Sequence, residues 1–428
     1  MRKKVFAVFF ILVFGLLCFS SYIQGVEEKK DRDDVYNQLD IFADVFTYIK
    51  NDYAEEIQNK DLVYGALKGM LSSLDAHSQF LDPETYNELK VDTQGKFGGL
   101  GIEITLKDGL ITVVTPIEDT PAWKAGIKSQ DRIVKINNEV TRNFSLTDAV
   151  KKMRGKPGTE VTITVLREKE SKLLDFTIKR DIIKIKDIKE ARILEDGIAY
   201  IRLSEFREDT KSELAKTLEN LKKEKMQALI IDLRNNPGGL LTVAVDVSEK
   251  FIEKNKIVVW TQGRDAKNKI EFKSKDNSPI LDIPIVVLIN EGSASGSEIL
   301  AGCLQDYKRA LLVGTKSFGK GSVQTLIPLS DGSAIKLTTS KYFTPSGRSI
   351  HNSGIVPDVT IEQIDIPGAP GELEKKKEEA VITDEVFEKI DSEPKGEPKK
   401  DETYKKDFQI VSAVSILKGI LAYGQAKK

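Results

Sequence analysis

The sequence predicts a multidomain α/β protein, with an α+β arrangement of its smaller parts around a helix-covered sheet. Three observations predict this fold class. Strands alternate with helical patterns from residue 197 onward, short strands separated by turns fill residues 93–182, and amphipathic patterns lie at both ends of the chain. Strands that alternate with helices call for a largely parallel sheet with helices on its faces.

Length and composition set the first limits on function. The chain has 428 residues, 40% of them hydrophobic, which is enough for two or three domains with a substantial core. Its formal net charge is −1 although 31% of the residues are charged, so the surface carries both signs in balance. Such a chain lacks the basic surface that binds nucleic acid, and we expect no nucleic-acid partner.

The first 25 residues have the pattern of a targeting signal. Arg2, Lys3 and Lys4 precede the apolar run Val5–Phe19, which is just short of a membrane-spanning helix. A positive segment followed by an apolar one is typical of secretory signal peptides. We therefore expect export to the periplasm or the extracytoplasmic face of a bacterial-type membrane, with residues 1–25 either cleaved as a signal peptide or retained as a signal anchor.

Cysteines and histidines are scarce. Cys18 lies in the targeting signal, so the exported chain is expected to form no internal disulfide. Cys303 falls on the apolar stripe of a helical pattern and is predicted to be a small core residue. The only histidines are His77 and His351, so no Cys/His cluster is available for a metal. We expect neither a metal nor another cofactor.

Residues 26–92 are predicted to be an N-terminal helical region. Apolar residues recur three and four positions apart from Val35 to Tyr53, and a second such stretch runs from Leu62 to Leu71. This spacing is typical of amphipathic helices. Their apolar stripes could pack against the protein's own body or form a homodimer contact, and the sequence leaves both open.

Residues 93–182 have the short strands of a small β domain. The predicted strands are Leu110–Thr115, Arg132–Ile136, Val161–Leu166 and Leu173–Ile178. A helix is predicted at Leu146–Met153, capped by Ser145. The run Gly99, Leu100, Gly101 and Ile102 resembles the loop with which PDZ domains capture a peptide's terminal carboxylate. We therefore predict a PDZ domain here.

Residues 183–365 are predicted to form the main core. Its strands include Ile198–Leu203, Ala228–Leu233, Val258–Trp260 and Ile285–Ile289. The segment from Arg234 to Gly239 joins the second of these strands to a helix. Its glycines, Gly238 and Gly239, allow backbone N–H groups to face a ligand, although a tight turn needs the same residues.

A serine-rich turn follows the buried strand Ile285–Ile289. Ser295 stands before a helical pattern, with Glu298 three residues later, which is the signature of a helix N-cap with a capping box. The same position would also suit a nucleophile, because the N–H groups at a helix N-terminus stabilise negative charge that develops beside it. Taken alone, the turn favours the cap.

A serine nucleophile needs a base, and Lys320 is a candidate. It stands between Gly319 and Gly321 with no acid nearby in sequence, a setting in which an amine could be desolvated and its pKa lowered. Gln324 follows four residues later, and the two side chains can meet only if the glycines bend the chain.

These residues resemble the carboxy-terminal processing proteases, serine peptidases with a Ser-Lys dyad supported by a glutamine. Ser295 in Ser-Ala-Ser-Gly-Ser-Glu, Lys320 in Phe-Gly-Lys-Gly and Gln324 occupy the family's three catalytic positions with its spacing. The resemblance implies a ClpP/crotonase-like core with an inserted PDZ domain.

The resemblance also implies roles for backbone groups. The amide of Gly296 would form an oxyanion hole together with the amide of Gly238 or Gly239. By default, His77 is interpreted as structural and His351 as a surface-loop residue.

The end of the chain changes composition twice. Residues 366–406 are rich in Glu, Lys and Pro and are predicted to be a charged linker or insertion. Residues 407–428 are predicted to be a C-terminal helix, because Ile410, Val414 and Leu417 stripe one face. That face could dock on the protein's own core or on another subunit.

We therefore expect an exported serine endopeptidase that recognises protein C-termini through its PDZ domain and cleaves near them. Its expected partners are protein substrates, with a homodimer or higher homo-oligomer and an N-terminal membrane anchor as further possibilities. A non-catalytic extracytoplasmic PDZ scaffold, or a ligand-binding protein on a crotonase-like core, is the alternative. A Ser-His hydrolase that uses His351 or His77 is another, and it would tolerate the loss of Lys320.

Overall fold

The structure is a computed structural model, which describes residues 35–107, 109–167, 172–265, 267–364 and 403–426. The predicted signal segment 1–25 lies outside these residues, as does nearly all of the predicted linker 366–406. Among the described helices, none has both the length and the apolar character that a membrane crossing requires.

The chain divides into two compact units, with the boundary after Phe80. The described part of the first unit contains helix α1 at 35–52, helix α2 (Asn59–Ser72) and the start of strand β1 (Gln79–Leu81). Both predicted amphipathic helices are therefore present. Within this unit the ring of Tyr64 packs on Phe80, with the ring centroids 4.8 Å apart.

The second unit begins with a helix and the predicted PDZ region. Its elements are α3 (Pro83–Gln94), β2 (Lys96–Gly99), β3 (Ile102–Lys107), β4 (Leu110–Pro116), α4 (Pro121–Ala125), β5 (Arg132–Ile136), β6 (Glu139–Val140), α5 (Leu146–Met153), β7 (Glu160–Arg167), β8 (Lys172–Lys179) and β9 (Asp181–Lys184). The sheet order is β3-β4-β5-β7-β8, with β6 paired to β5. Alternate residues such as Ile111, Val113 and Ile163 fill its core. Strands β2 and β9 form a separate antiparallel ribbon where the chain enters and leaves this region.

The main core follows. Its elements are β10 (Ile188–Ile193), β11 (Ile198–Leu203), α6 (Thr210–Lys223), β12 (Ala228–Asp232), α7 (Leu241–Ser248), β13 (Ile257–Gln262), β14 (Lys269–Lys273), β15 (Ile285–Ile289), α8 (Gly296–Asp306), β16 (Leu311–Gly314), β17 (Ser322–Pro328), β18 (Ala334–Phe343), β19 (Val359–Thr360) and α9 (Phe408–Ala426). The central sheet has the order β10-β11-β12-β15-β16-β19, and all its pairs except β10–β11 are parallel. This is the helix-covered parallel sheet that the alternating pattern predicts.

Helices cover both faces of the central sheet. On one face, apolar residues of α6, α7 and α8 such as Leu214, Val247 and Leu300 share one core with the strands. On the other face, α9 buries Val414 and Leu417 against the alternate residues of the same strands. The C-terminal helix thus docks on the protein's own core, because successive strand residues point to opposite faces and both faces are apolar.

The peptidase core also contains an antiparallel sheet, separate from the central one. The hairpin β17–β18 pairs through β18 with β13, which in turn pairs with β14. Its turn contains Asp331 and Gly332, as the sequence predicts. Strand β17 begins two residues after Lys320, so this hairpin determines where the candidate base is held.

Candidate active site

Ser295 lies at the junction of strand β15 and helix α8, in a strained turn. Its φ of 53° and ψ of −111° place a non-glycine residue at positive φ. Residues in such sparsely populated conformations persist only where the surrounding structure enforces them, and they concentrate at functional sites. Here the turn presents the Ser295 side chain to a cavity of about 390 Å³.

The three serines of this turn have different environments. Ser293 Oγ donates to the Leu233 carbonyl at 2.8 Å, and Ser297 Oγ donates to the Asn236 carbonyl at 2.9 Å. Both side chains are fully buried and hold the neighbouring loop in place. Ser295 alone among them lines the cavity, so it is the one serine of the turn with the exposure that a nucleophile needs.

The predicted capping box is half formed. Glu298 Oε2 accepts the backbone N–H of Ser295 at 2.8 Å, as a capping box requires. The Ser295 hydroxyl makes no cap hydrogen bond, and the Glu298 N–H bonds to the Ser295 carbonyl instead, at 3.0 Å. Ser295 thus stands at the N-cap of α8 with Glu298 as its capping partner, as the sequence predicts.

Glu298 joins the Ser295 turn to the Lys320 segment. Besides Ser295, it accepts the Lys320 N–H at 2.9 Å, the Gly319 N–H at 2.7 Å and the Ser317 hydroxyl at 2.6 Å. The side chain is fully buried, and burial raises its pKa although these hydrogen bonds oppose the shift. The sequence pattern identifies this residue only as a helix-cap partner, so its bond to the Lys320 segment is a finding of the structure.

Lys320 is half-buried and lines the same cavity as Ser295. Its Nζ makes no hydrogen bond with any described residue, Ser295 included. Burial lowers the pKa of Lys320, the positive charge of Lys336 lowers it further, and Glu298 acts in the opposite direction. The sequence shows no acid beside Lys320, and the fold adds one, because Glu298 accepts its backbone N–H. The direction of the pKa shift nevertheless suits a general base.

Gln324 also lines the cavity, on strand β17. Its Nε2 donates to Ser322 Oγ at 3.2 Å and to Thr338 Oγ1 at 2.9 Å. Its Oε1 is buried without a hydrogen-bond partner. The expected bond between Gln324 and Lys320 is absent from the described contacts, yet Gln324 Oε1 and Lys320 Nζ each lack a hydrogen-bond partner there.

The candidate oxyanion-hole amides are not equivalent. The Gly238 N–H donates to Asn236 Oδ1 at 2.8 Å, whereas the N–H groups of Gly239 and Gly296 make no hydrogen bond with described residues. Gly238 approaches the turn so closely that a Cβ there would lie 2.6 Å from the Ser295 Cβ. Gly239 has a φ of 140° and packs on Phe206, where a Cβ would lie 2.2 Å from a carbonyl oxygen. Both glycines are required, but only Gly239 keeps a free amide.

Several residues that line the cavity carry no signal in the sequence. Tyr342 on β18 donates its hydroxyl proton to Ser295 Oγ at 2.9 Å. Lys336, on the same strand, has neither an ion-pair nor a hydrogen-bond partner among the described residues. Leu89 and Asp92 contribute a wall from helix α3, far away in the chain. The sequence signal that could have found Tyr342 and Lys336 is the predicted hairpin. It places their strand, β18, beside strand β17, which carries Gln324.

One basic group in the cavity lining, Arg207, is already paired. Arg207 forms ion pairs with Asp187 and Glu205, and its Nε donates to the Asp92 carbonyl at 2.9 Å. Apolar side chains such as Leu241 complete the lining, so the cleft can accept an extended peptide with apolar contacts beside the reacting groups.

No histidine lines this cavity. His351 is half-buried, and its backbone packs so closely on Gly321 that a Cβ there would lie 2.2 Å from the His351 nitrogen. His351 lies in a turn, and its backbone supports the Lys320 segment through this contact with Gly321. This placement gives no support to a Ser-His arrangement at Ser295.

The predicted carboxylate-binding loop of the PDZ region connects β2 to β3. Leu100 and Gly101 are buried, and Gly101 has a φ of 78°. The N–H groups of these two residues make no hydrogen bond with described residues. Ile102 begins β3, which contacts helix α5, so Gly99 to Ile102 lie at one end of a strand-and-helix groove.

A strained serine, a desolvated lysine and a free backbone amide line one cleft, and the same chain carries a PDZ-like groove; these are the features of a serine-type peptidase. Comparisons with known proteins agree. Sequence profiles match the chain as "Peptidase family S41" at residues 197–361, "PDZ domain" at 112–167 and "Activating protease CtpB N-terminal domain" at 19–85.

Individual relatives give the same result. The carboxy-terminal-processing protease of Bartonella bacilliformis is 43% identical over 369 residues, which is 85% of this chain and 83% of that protein. CtpB of Bacillus subtilis, a carboxy-terminal processing protease, is 37% identical over 342 residues, 79% of this chain and 71% of that protein. A solved photosystem II D1 C-terminal processing protease is 30% identical, with a TM-score of 0.46 over 74% of this chain and 85% of that one. The chain belongs to peptidase family S41, among the carboxy-terminal processing proteases with a PDZ domain, which confirms the predicted family and fold class.

Proposed function

We propose that this peptidase is an exported endopeptidase that cleaves proteins near their C-termini, with Ser295 as nucleophile, Lys320 as general base and Gln324 as the residue that orients Lys320. The observation that carries this proposal is the buried Glu298 carboxylate. By accepting the N–H groups of both Ser295 and Lys320, it holds the two segments against one cavity. A nucleophile and a base that face one cleft are the minimum requirement for acyl transfer.

The proton follows a short path in this mechanism. Neutral Lys320 takes the Ser295 hydroxyl proton as Oγ attacks the scissile carbonyl, and the resulting ammonium returns it to the leaving amine. Water then attacks the acyl-enzyme by the same route. The Gly296 amide and the Gly239 amide stabilise the oxyanion, because their N–H groups are unengaged while that of Gly238 is occupied.

Closure of the dyad needs a small movement in this scheme. Lys320 Nζ and Gln324 Oε1 each lack a hydrogen-bond partner, so a bond between them would satisfy both groups and fix the amine. Gly319, at a φ of 95°, supplies the backbone freedom beside Lys320.

Substrate selection is assigned to the PDZ domain. The free amides of Leu100 and Gly101 can receive a terminal carboxylate, while the peptide adds as a strand beside β3. A peptide with a free C-terminus should therefore stimulate or compete with cleavage, and the same peptide with an amidated C-terminus should not.

Export, membrane anchoring and self-association complete the proposal. Export is supported by the positive and apolar segments within residues 1–25. Self-association is supported by the apolar side chains of α1 that remain exposed, such as Leu39 at 55% and Phe42 at 47%. Cell fractionation with N-terminal sequencing of the mature protein tests the first two, and sedimentation of the purified chain tests the third.

Two variants test the catalytic assignment. Ser295→Ala and Lys320→Ala should each abolish hydrolysis of fluorescent casein while leaving the circular dichroism spectrum and the melting temperature close to wild type. Cleavage that survives in Lys320→Ala would overturn the Ser-Lys dyad and favour the alternative, a Ser-His hydrolase. Cleavage that survives in Ser295→Ala would overturn the nucleophile.

A further inference from the structure

The Ser295 hydroxyl has one hydrogen-bond partner among the described residues, and it is Tyr342. The phenol proton of Tyr342 is donated to Ser295 Oγ at 2.9 Å. The helix that follows Ser295 takes no bond from this oxygen, and Lys320 makes none with it. Without Tyr342, the side chain of this strained serine would therefore have no polar contact to fix its rotamer.

Tyr342 is itself held rigidly. It lies on strand β18 opposite Thr261 of β13, and only 2% of its surface is exposed. Its backbone N–H donates to the carbonyl of Gly321, the residue after Lys320, at 3.0 Å. One residue thus contacts the nucleophile through its side chain and the base segment through its backbone.

We propose that Tyr342 is a positioning residue that aims Ser295 Oγ at the substrate and stabilises the charge on that oxygen as it reacts. The inference rests on the proposed function, since it assumes that Ser295 is the nucleophile. It adds a residue to the Ser-Lys-Gln set that the sequence pattern predicts.

The direction of the hydrogen bond suits this role. Because Tyr342 is the donor, the proton of Ser295 remains free to pass to Lys320. Burial raises the pKa of Tyr342, so the phenol keeps the proton that it donates to Ser295 Oγ. During attack Oγ gains alkoxide character, and during deacylation it departs with the same character, so a fixed O–H donor stabilises both transition states.

A merely structural role makes a different prediction. The Tyr342 ring belongs to the peptidase core, and its neighbour Phe343 stacks on Trp260 with the ring centroids 4.1 Å apart. Tyr342→Phe keeps the ring and removes only the hydroxyl, so a packing role survives this change while a positioning role is lost.

The experiment compares Tyr342→Phe with Tyr307→Phe in the full chain. Tyr307 is a matched control, because its hydroxyl also donates within the peptidase core, to the Ile257 carbonyl at 2.9 Å, and it does not line the cavity. The readouts are the rate of Ser295 labelling by a small alkyl fluorophosphonate, kcat and KM on fluorescent casein, and the melting temperature. In labelling, the Oγ–P bond forms, the P–F bond breaks, fluoride leaves and the serine proton passes to Lys320.

For Tyr342→Phe we expect labelling to slow by about 10-fold to 100-fold, the range for a lost hydrogen bond to a charged group. The kcat on casein should fall by a similar factor while KM stays within about twofold. Tyr307→Phe should stay within about twofold of wild type in labelling rate, kcat and KM. A Tyr342→Phe chain labelled within twofold of wild type would overturn the inference and leave the proposed function standing.

Two further results are informative. If the wild-type chain is not labelled at Ser295, both this inference and the proposed function are overturned. The melting temperature of Tyr342→Phe could fall far below that of Tyr307→Phe. In that case the labelling experiment uses a chain with 3-fluorotyrosine at position 342, because this analogue keeps the shape of the side chain and is a stronger hydrogen-bond donor. It should be labelled at least as fast as wild type, and labelling slowed by twofold or more would overturn the inference.

Discussion

The two segments that carry the candidate dyad are held in opposite ways. In the nucleophile turn, residues 290–298, the hydroxyls of Ser293, Ser295 and Ser297 all have hydrogen-bond partners. In the base segment, residues 317–324, Glu298 binds the backbone and Gln324 Nε2 has partners, but Lys320 Nζ and Gln324 Oε1 have none among the described residues. Phe318 in that segment is 63% exposed.

This contrast indicates which part of the site is complete before substrate arrives. A nucleophile fixed by several bonds is preorganised, and its geometry costs nothing at the moment of reaction. A base whose side chain makes no hydrogen bond is free to move into its working position. We therefore expect changes at the shared Glu298 to have the largest effect, because that residue holds both segments.

Glu298→Gln tests the shared support. An amide nitrogen cannot accept the backbone N–H groups that Oε2 accepts from Ser295 and Lys320. We expect kcat/KM on casein to fall by at least about 100-fold and the free energy of unfolding in urea to fall by about 2–4 kcal/mol, because two buried donors lose their acceptor. The exposed Glu219→Gln is the control and should change neither. Near-wild-type activity in Glu298→Gln would show that the two segments hold their positions independently.

Gln324→Met tests the base segment alone. It removes the free Oε1 acceptor and keeps the length of the side chain. We expect kcat to fall by about 10-fold with KM nearly unchanged, because one hydrogen bond to the amine is lost. Gln305→Met is the matched control, since Gln305 bonds to the Val356 carbonyl away from the cavity. A larger change in KM than in kcat would assign Gln324 to substrate binding instead.

Lys336→Met tests the charge around the base. Lys336 is one of the causes that lower the pKa of Lys320, so its removal should raise that pKa. Lys320 would then be protonated at higher pH, and the acid limb of the kcat/KM profile should move to higher pH. We expect activity several-fold below wild type on that limb and about equal on the alkaline plateau. Lys341→Met, an exposed lysine on the same strand, should leave the profile unchanged; a Lys336→Met limb at the wild-type pH would contradict the prediction.

Asp407→Asn tests the ion pair that supports the 234–239 segment next to the Ser295 turn. Asp407 bonds to Arg234, with 2.8 Å between Oδ2 and Nη2, and Arg234 begins the segment that leads to Gly238 and Gly239. We expect the free energy of unfolding to fall by about 1–2 kcal/mol, the worth of a charge-assisted bond, with activity within about threefold. Lys418→Gln, which breaks an exposed ion pair of α9 with Glu195, should leave the free energy of unfolding essentially unchanged. An activity loss as large as that of Glu298→Gln would move Asp407 into the group that positions the catalytic residues.

Local patterns were enough to predict most of the elements. The runs Ile198–Leu203 and Ile285–Ile289 became parallel strands within the predicted bounds, because strands buried on both faces are continuously apolar. The turn signals around Asp331 likewise identified the hairpin that carries Gln324. Helix α3 was not predicted as a separate element, since its apolar stripe is too weak to be distinguished, and it supplies one wall of the cleft.

The sequence by itself determined which residue types could do the chemistry and where along the chain they stand: Ser295, Lys320 and Gln324. Only the tertiary structure decided which groups surround them. It placed Tyr342 on Ser295 Oγ and Lys336 beside Lys320, and it occupied the amide of Gly238 while leaving that of Gly239 free. The physical reason is that local periodicity reports which side of an element is buried, whereas hydrogen bonds across tens of residues depend on how strands and loops pack in space.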